Sequence, residues 1–202
     1  TVLESYGPEG RLNWRLFGLH FVDMADVDPG SDTEVFTKEE RFTMDYSKRP
    51  GRQWTYQGYT VHPFRYPQDP RLHIWSAGAW VRRMEGRRFL FVNDMNAQHL
   101  QVYRFDADSD AETAIPAGLF AGRRIRNDKG WPPHQPREGE WIWRDRDGNG
   151  AFDPGEYDRH DGRDAPSYQG WWVDEAGTVW QATQTNGIRR YPMQGLDERG
   201  NP

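Results

Sequence analysis

The chain contains no stretch in which apolar residues recur with helical spacing over three turns. Short apolar or alternating runs take the place of helices, and each is bounded by glycine, proline, aspartate or asparagine. In one of them, Leu12, Trp14 and Leu16 alternate with polar residues, as in a strand with one buried face. We predict strands at residues 11–19, 34–37, 53–61, 74–83, 88–92, 100–105, 140–144, 171–174, 179–183 and 188–191. Short strands with little helix are typical of an all-β sandwich, barrel or propeller.

Composition supports this interpretation. The 10 Trp and 9 Tyr favour half-buried pleated surfaces, and the 21 Gly and 14 Pro provide many turns. Mean hydropathy is low at −1.02, but large aromatic side chains bury much surface per residue, so we expect a folded chain. Its 202 residues are enough for one large domain or two small ones.

Two segments share one pattern of strands and turns. Residues 81–105 and 171–191 each contain strand, tight turn, strand, polar loop and strand, with turn glycines at Gly86 and Gly177. Such a meander is close to the unit of a propeller blade. The two glycines are 91 residues apart, which leaves room for two blades of about 40–45 residues each.

The second meander also resembles a known family. Residues 172–180 (WVDEAGTVW) and 186–191 (NGIRRY) are similar to blades of the NHL-repeat and gluconolactonase-like β-propellers of bacterial secreted proteins. The resemblance implies that residues 1–202 form a single β-propeller domain or a fragment of one. About four to five blades would belong to a six-bladed or larger ring, in a protein that is secreted, extracellular or at the bacterial cell surface. No set of lactonase metal ligands can be carried over to this sequence.

The ends of the chain and one internal segment add expectations. Residues 106–136 carry almost no strand signal and are rich in Asp, Gly, Pro and Arg, so we predict a loop insertion there. Residues 196–200 are expected to begin another turn of the ring. Because unpaired blade edges attract further strands, we expect either self-association or contact with the rest of a longer chain.

One twelve-residue segment, 145–156, fits an EF-hand-type calcium loop, and we name it the acidic loop. Gly150 stands at loop position 6, where the sharp turn favours a residue without Cβ, and Phe152 at position 8 is expected to anchor the loop. The predicted ligands are the side chains of Asp145, Asp147, Asn149, Asp153 and Glu156 and the carbonyl of Ala151.

These ligands favour calcium over other cations. Ca²⁺ takes six to eight oxygens, and Glu156 at position 12 supplies a bidentate carboxylate. Mg²⁺ would need a tighter octahedron, and Zn²⁺ or copper are not expected because the loop has no His or Cys. The flanks read as strand and loop instead of helices, so we expect a structural staple rather than a calmodulin-like switch.

Two other acidic segments are weaker candidates. Asp23, Asp26, Asp28 and Asp32, with His20, could surround a second cation or form a solvated turn, and their spacing matches no known loop. Residues 106–112 begin like a calcium loop but lack the glycine at position 6 and the closing Glu.

The remaining composition narrows the function classes. A net charge of −5 without a Lys/Arg block argues against nucleic acid as a partner, and the absence of cysteine excludes thiol chemistry. No apolar run is long enough for a membrane span. The six His show no metal-ligand spacing, and no catalytic residue is predicted. The acidic loop and the resemblance together lead us to expect a secreted, calcium-binding propeller with a structural or interaction role. The alternatives are a hydrolase or lyase of the lactonase or polysaccharide-lyase kind, with its site on the propeller axis, and a carbohydrate-binding module.

Overall fold

The structure, a computed structural model, describes residues 2–17, 24–106, 113–127, 129–160, 163–165 and 168–202. These residues form fifteen β-strands, one short 3₁₀ helix at Pro70–Leu72 and no α-helix. The strands are β1 (Val2–Tyr6), β2 (Leu12–Phe17), β3 (Asp26–Val27), β4 (Glu34–Phe36), β5 (Glu40–Met44), β6 (Trp54–Tyr59), β7 (Ser76–Met84), β8 (Arg87–Asp94), β9 (His99–Arg104), β10 (Ile115–Ala121), β11 (Trp141–Arg144), β12 (Tyr157–Arg159), β13 (Tyr168–Val173), β14 (Val179–Thr183) and β15 (Ile188–Tyr191).

The all-β class is confirmed, and the strands form four antiparallel sheets in which sequence neighbours pair. These are the β1–β2 hairpin, a four-stranded sheet (β3–β6), a six-stranded sheet (β7–β12) and a three-stranded sheet (β13–β15). Both predicted three-strand meanders are present, as β7–β9 and β13–β15, but the first continues into three further strands. Across the described ranges, the strands close neither a barrel nor a ring of blades.

The tight turn between β7 and β8 shows how local sequence sets the register. Glu85 and Gly86 both have positive φ, at 51° and 78°, and Met84 pairs directly with Arg87. A two-residue turn with this conformation matches the twist of the strands that it joins. Glu85–Gly86 therefore fixes which side chains of β7 and β8 share a face.

The six-stranded sheet lies between the other two large sheets. Alternation along β7 places Val81 on the face that packs against Phe36 of the four-stranded sheet. The preceding residue, Trp80, lies on the opposite face of the sheet, in a cluster with Trp171 and Val173 of the three-stranded sheet. One sheet thus supplies two hydrophobic cores. A third cluster, around Trp143 and the loops beside β10 and β11, lies next to the acidic loop.

The expectation of a loop insertion differs from the structure. Residues 106–136 contain β10, which pairs with β9 and β11 in the middle of the six-stranded sheet. Its strand signal was hidden because Pro116 and Gly118 interrupt it and it is buried on both faces. Residues 196–200, which are expected to begin another turn of the ring, form a tight turn in which the Gly200 N–H donates to the Asp197 carbonyl at 2.9 Å. In the described part of the chain, no helix is long and apolar enough to cross a membrane.

Candidate metal centre

The acidic loop joins two paired strands of the six-stranded sheet. β11 ends at Arg144 and β12 begins at Tyr157, and Trp143 pairs with Tyr157 across the antiparallel ladder. The first and last residues of the loop, Asp145 and Glu156, are therefore held close together at the sheet. The flank before the loop is the predicted strand, whereas the flank after it forms the short strand β12 instead of a loop.

Inside the loop, aspartate side chains cap a sharp turn. Asp145 Oδ1 accepts a hydrogen bond from the Gly150 N–H at 3.0 Å, and Asp147 Oδ1 accepts one from the Asn149 N–H at 3.0 Å. Gly148 and Gly150 have φ of 84° and 72°, a region that side-chain-bearing residues rarely adopt. A Cβ at Gly150 would also lie 2.7 Å from Tyr66 Cδ1. Glycine is thus needed at position 6 for both conformation and space.

Three carboxylates of the loop converge. Asp145, Asp147 and Glu156 each place one oxygen within 4.8 Å of the others, and this arrangement could hold a metal ion. Asp145 and Glu156 are buried, whereas Asp147 is exposed. Buried carboxylates in such a group repel one another unless a cation or proton compensates their charge.

Burial changes the acidity of the two inner members. It raises the pKa of Asp145, although hydrogen bonds from Arg104 and the Gly150 amide act in the opposite direction. Burial likewise raises the pKa of Glu156, against hydrogen bonds from Trp143 and three backbone amides. Ionisation of both carboxylates therefore costs free energy in the ion-free protein.

The other predicted ligands lie around this triad. Asn149 Nδ2 donates to Asp147 Oδ2 at 2.8 Å and to Asp153 Oδ2 at 2.9 Å, so its amide bridges these two carboxylates. The N–H of Ala151 donates to Asn149 Oδ1 at 2.6 Å. The five predicted side chains thus lie within one connected loop, while no described contact involves the Ala151 carbonyl.

Phe152 anchors the loop as predicted. It is almost fully buried, and its ring stacks on Trp143 with centroids 4.0 Å apart. Its N–H donates to Gln68 Oε1 at 2.8 Å. Trp143 in turn donates from Nε1 to Glu156 Oε2 at 2.8 Å, which couples the aromatic anchor to the closing carboxylate.

Two distant residues complete the site, and sequence reasoning missed both. Arg104 on β9 donates from Nη1 to Asp145 Oδ2 at 2.7 Å and from Nη2 to the Gly148 carbonyl at 3.0 Å. The same Nη1 donates to Asn201 Oδ1 at 2.7 Å. No local spacing signals these contacts, because they join residues far apart in the chain.

The weaker acidic segments have a different character. Asp26 pairs with Arg82 at 2.8 Å, and the buried Asp28 pairs with Arg83 at 2.7 Å and Arg88 at 2.5 Å. Arginines therefore compensate the negative charges that a second cation would have neutralised. Because Asp28 is buried, the solvated-turn alternative is also wrong for this residue. Asp32 is exposed, whereas Asp23, His20 and residues 107–112 lie outside the described residues.

No protein-family model, no curated protein and no solved structure matches the chain. The resemblance to NHL-repeat and gluconolactonase-like propellers therefore depends on the two segments of the second meander alone.

Proposed function

We propose that the protein binds one Ca²⁺ in the acidic loop and that the ion acts as a structural staple. The convergence of Asp145, Asp147 and Glu156 carries this proposal. The ligand atoms of these carboxylates are hard oxygens, which calcium prefers, and the loop contains neither His nor Cys for zinc or copper. A bound cation would offset the cost of ionising the two buried carboxylates.

The side chains that would hold the ion are those predicted from spacing, together with the Ala151 carbonyl. In the ion-free loop, the Asn149 amide group donates to Asp147 and Asp153. We expect this amide to turn its oxygen inward when a cation takes over the role of bridging the two carboxylates. Glu156, whose oxygens accept hydrogen bonds from loop amides, would exchange some of these for the ion.

The surroundings of the loop support a staple. The loop contacts three parts of the chain: Arg104 of β9, Gln68 in the loop that precedes β7, and Asn201 near the C-terminus. Fixing one loop therefore fixes the approach of three segments. The flanking strands are paired with each other and cannot open as an EF-hand helix pair does.

Calorimetric titration tests the calcium proposal. Wild-type protein should bind one Ca²⁺, with an affinity in the range of about 10⁻⁴–10⁻³ M that is usual for extracellular modules. Glu156→Ala should weaken binding most because it removes both oxygens of the bidentate ligand. Glu175→Ala, at an exposed turn of the three-stranded sheet, is the matched control. No uptake of calcium, or equal affinities of Glu156→Ala and wild type, would contradict the proposal.

We further propose that the sheets are blades of a β-propeller in a secreted or cell-surface bacterial protein. Three successive antiparallel meanders that stack face to face support the propeller. The outer strands of these sheets would pair with another copy or with further residues of the chain. Ile188, on the edge strand β15, is 73 % exposed. Ile188→Lys should then shift the mass measured by light scattering toward the monomer, and a wild-type monomer would contradict self-association.

One observation favours the enzyme alternative. A cleft of about 400 Å³ between β10–β12 and the three-stranded sheet contains Glu140. Its Oε1 lies 3.0 Å from His160 Nδ1, and its Oε2 accepts a hydrogen bond from Arg189 at 2.5 Å. A carboxylate–imidazole pair can move a proton in hydrolysis or elimination. Assays with aldonolactones and polygalacturonate should then show activity that Glu140→Gln abolishes. Inactivity of the wild type toward both would argue against this alternative.

A further inference from the structure

A second cleft, of about 630 Å³, is rich in arginine. Its lining includes Arg123, Arg124, Arg126 and Arg137, all on the segments that follow β10. Arg123, Arg126 and Arg137 are exposed, and Arg124 donates to the Pro136 carbonyl at 3.3 Å. The pair Arg123–Arg124 lies beyond the end of β10. It belongs to a concave surface with four guanidinium groups.

The acidic residues in the same lining are partly engaged by backbone amides. Asp94 accepts hydrogen bonds from the N–H groups of His99 at 2.8 Å and Asn96 at 3.2 Å. Asp164 accepts one from the Gly139 N–H at 3.2 Å. Glu138 is the third acidic residue of the lining and is exposed. Among the described lining residues, four arginines therefore face three carboxylates, of which two cap backbone turns.

A buried histidine in this cleft has an unused ring nitrogen. His99 is 8 % exposed, and its Nδ1 makes no hydrogen bond within the described part of the chain. The nearest carboxylate oxygen, Asp94 Oδ2, is 3.8 Å away, which is too far for a hydrogen bond. Buried polar atoms of native proteins nearly always have a partner, so this nitrogen at the wall of the cleft is a candidate contact for a ligand.

The electrostatics agree with an anionic partner. Burial lowers the pKa of His99; the charge of Asp94 acts in the opposite direction and that of Arg123 in the same direction. An anion beside Arg123 would remove part of this repulsion. Trp75, whose indole is 61 % exposed, lies at the same cleft.

From these observations we propose that this arginine-rich cleft binds a small ligand with at least two oxyanion groups. Carboxylate is planar, whereas sulfate and phosphate are tetrahedral. All three present two oxygens on one side, to which a guanidinium group donates paired hydrogen bonds. His99 Nδ1 provides a further polar contact, and Trp75 offers an apolar surface at the side of the cleft. The proposal does not depend on calcium binding, because the acidic loop contributes no residue to this lining.

Calorimetry with defined probes tests this site and distinguishes the sources of the anion. Trigalacturonate provides carboxylates, a sulfated disaccharide provides sulfates, pyrophosphate provides phosphates, and maltotriose is the neutral control. We expect at least one anionic probe to bind and maltotriose not to bind. The anionic probe that binds most tightly identifies the oxyanion. Failure of all three anionic probes, or equal binding of maltotriose, would overturn the proposal.

Paired variants separate site binding from general charge effects. Arg126→Gln with Arg137→Gln should weaken the bound probe about tenfold or more, because two guanidinium contacts are lost. Arg49→Gln with Arg52→Gln removes the same charge from the exposed β5–β6 connection and should leave the affinity unchanged. All four positions are exposed, so both double variants should fold. Equal weakening by the two would overturn the proposal, as would a His99 ring resonance that stays unmoved when the probe saturates the protein.

Discussion

The side-chain amide of Asn201 donates a hydrogen bond to the main-chain carbonyl of Asp145, the first residue of the acidic loop. Asn201 is buried, and its own backbone N–H donates to Asp197 Oδ1 at 2.8 Å. Its side-chain oxygen accepts from the Arg104 guanidinium, which also binds the Asp145 carboxylate. One asparagine therefore connects a turn near the C-terminus, a strand of the six-stranded sheet and the candidate metal centre.

Replacing this asparagine should weaken both the fold and the site. Asn201→Ala leaves the Asp145 carbonyl and one Arg104 contact without a partner, and we expect a loss of about 1–3 kcal/mol in the free energy of unfolding. Calcium affinity should also fall because Asp145 is less firmly held. Urea denaturation with and without calcium measures both effects. Asn186→Ala, at an exposed loop of the three-stranded sheet, is the control, and an equal loss there would contradict this role of Asn201.

The turn glycine of the acidic loop allows a comparison of strain with crowding. Gly150 and Gly86 have similar positive φ, 72° and 78°, but a Cβ at Gly150 would lie 2.7 Å from Tyr66 and one at Gly86 would meet open space. Gly86→Ala should therefore cost about 1 kcal/mol for backbone conformation alone. Gly150→Ala should cost clearly more and should reduce calcium binding. Thermal melting and titration of both variants test this, and equal destabilisation would show that crowding by Tyr66 is unimportant.

Local sequence was informative where one strand or loop determines its own conformation. The short apolar runs of β11 and β14 are recognisable in the sequence, and the spacing from Asp145 to Glu156 specifies the loop without reference to the rest of the chain. β5 was missed because Glu40 occupies an inward position, where it is buried against Thr37, and a charged residue there hides the alternation. The contacts of Arg104 and Asn201 depend on how distant strands pack, so no spacing rule could have found them.

Packing also decided which acidic residues are candidates for a metal. Four aspartates near residue 28 and the loop 145–156 look similarly acidic in sequence. Only the fold shows that Arg83 and Arg88 approach Asp28 from neighbouring strands of the six-stranded sheet. The propeller prediction also depended on packing, because alternation in the sequence predicts strands but not how many strands join one sheet. The first meander thus continued to six strands.

The arginine pairing of Asp28 predicts a pH-dependent stability difference. Burial acts to raise the pKa of Asp28, but hydrogen bonds from Arg83 and Gly30 and the charge of Arg88 outweigh it, so the pKa lies below its ordinary value of 3.8. A carboxyl group with a lowered pKa stabilises the fold above its unfolded-state pKa, and this contribution is lost as the pH falls through the folded-state value.

Asp28→Asn should therefore lower the free energy of unfolding by about 2 kcal/mol at pH 7, where the carboxylate pairs with two arginines. The difference from wild type should shrink as the pH falls below 3.8. Chemical denaturation at several pH values measures it. Asp32→Asn, at an exposed position of the same connection between β3 and β4, serves as control. A difference that stays constant down to low pH would show that the effect of Asp28 is not electrostatic.

Trp143 should report calcium binding directly. Its indole Nε1 donates to Glu156 Oε2 at 2.8 Å, and its ring stacks on the loop anchor Phe152. When Glu156 turns toward an ion, the charge beside this buried indole changes, and so should its fluorescence. Trp143→Phe should remove most of the calcium-dependent change in tryptophan emission.

Trp180→Phe is the matched control, since Trp180 Nε1 also donates to a carboxylate, Asp174 Oδ2, at 3.0 Å but lies in the three-stranded sheet. Because Trp143→Phe leaves every predicted ligand in place, calorimetry should still detect binding. A calcium-dependent signal that persists in Trp143→Phe and disappears in Trp180→Phe would place the ion outside the acidic loop.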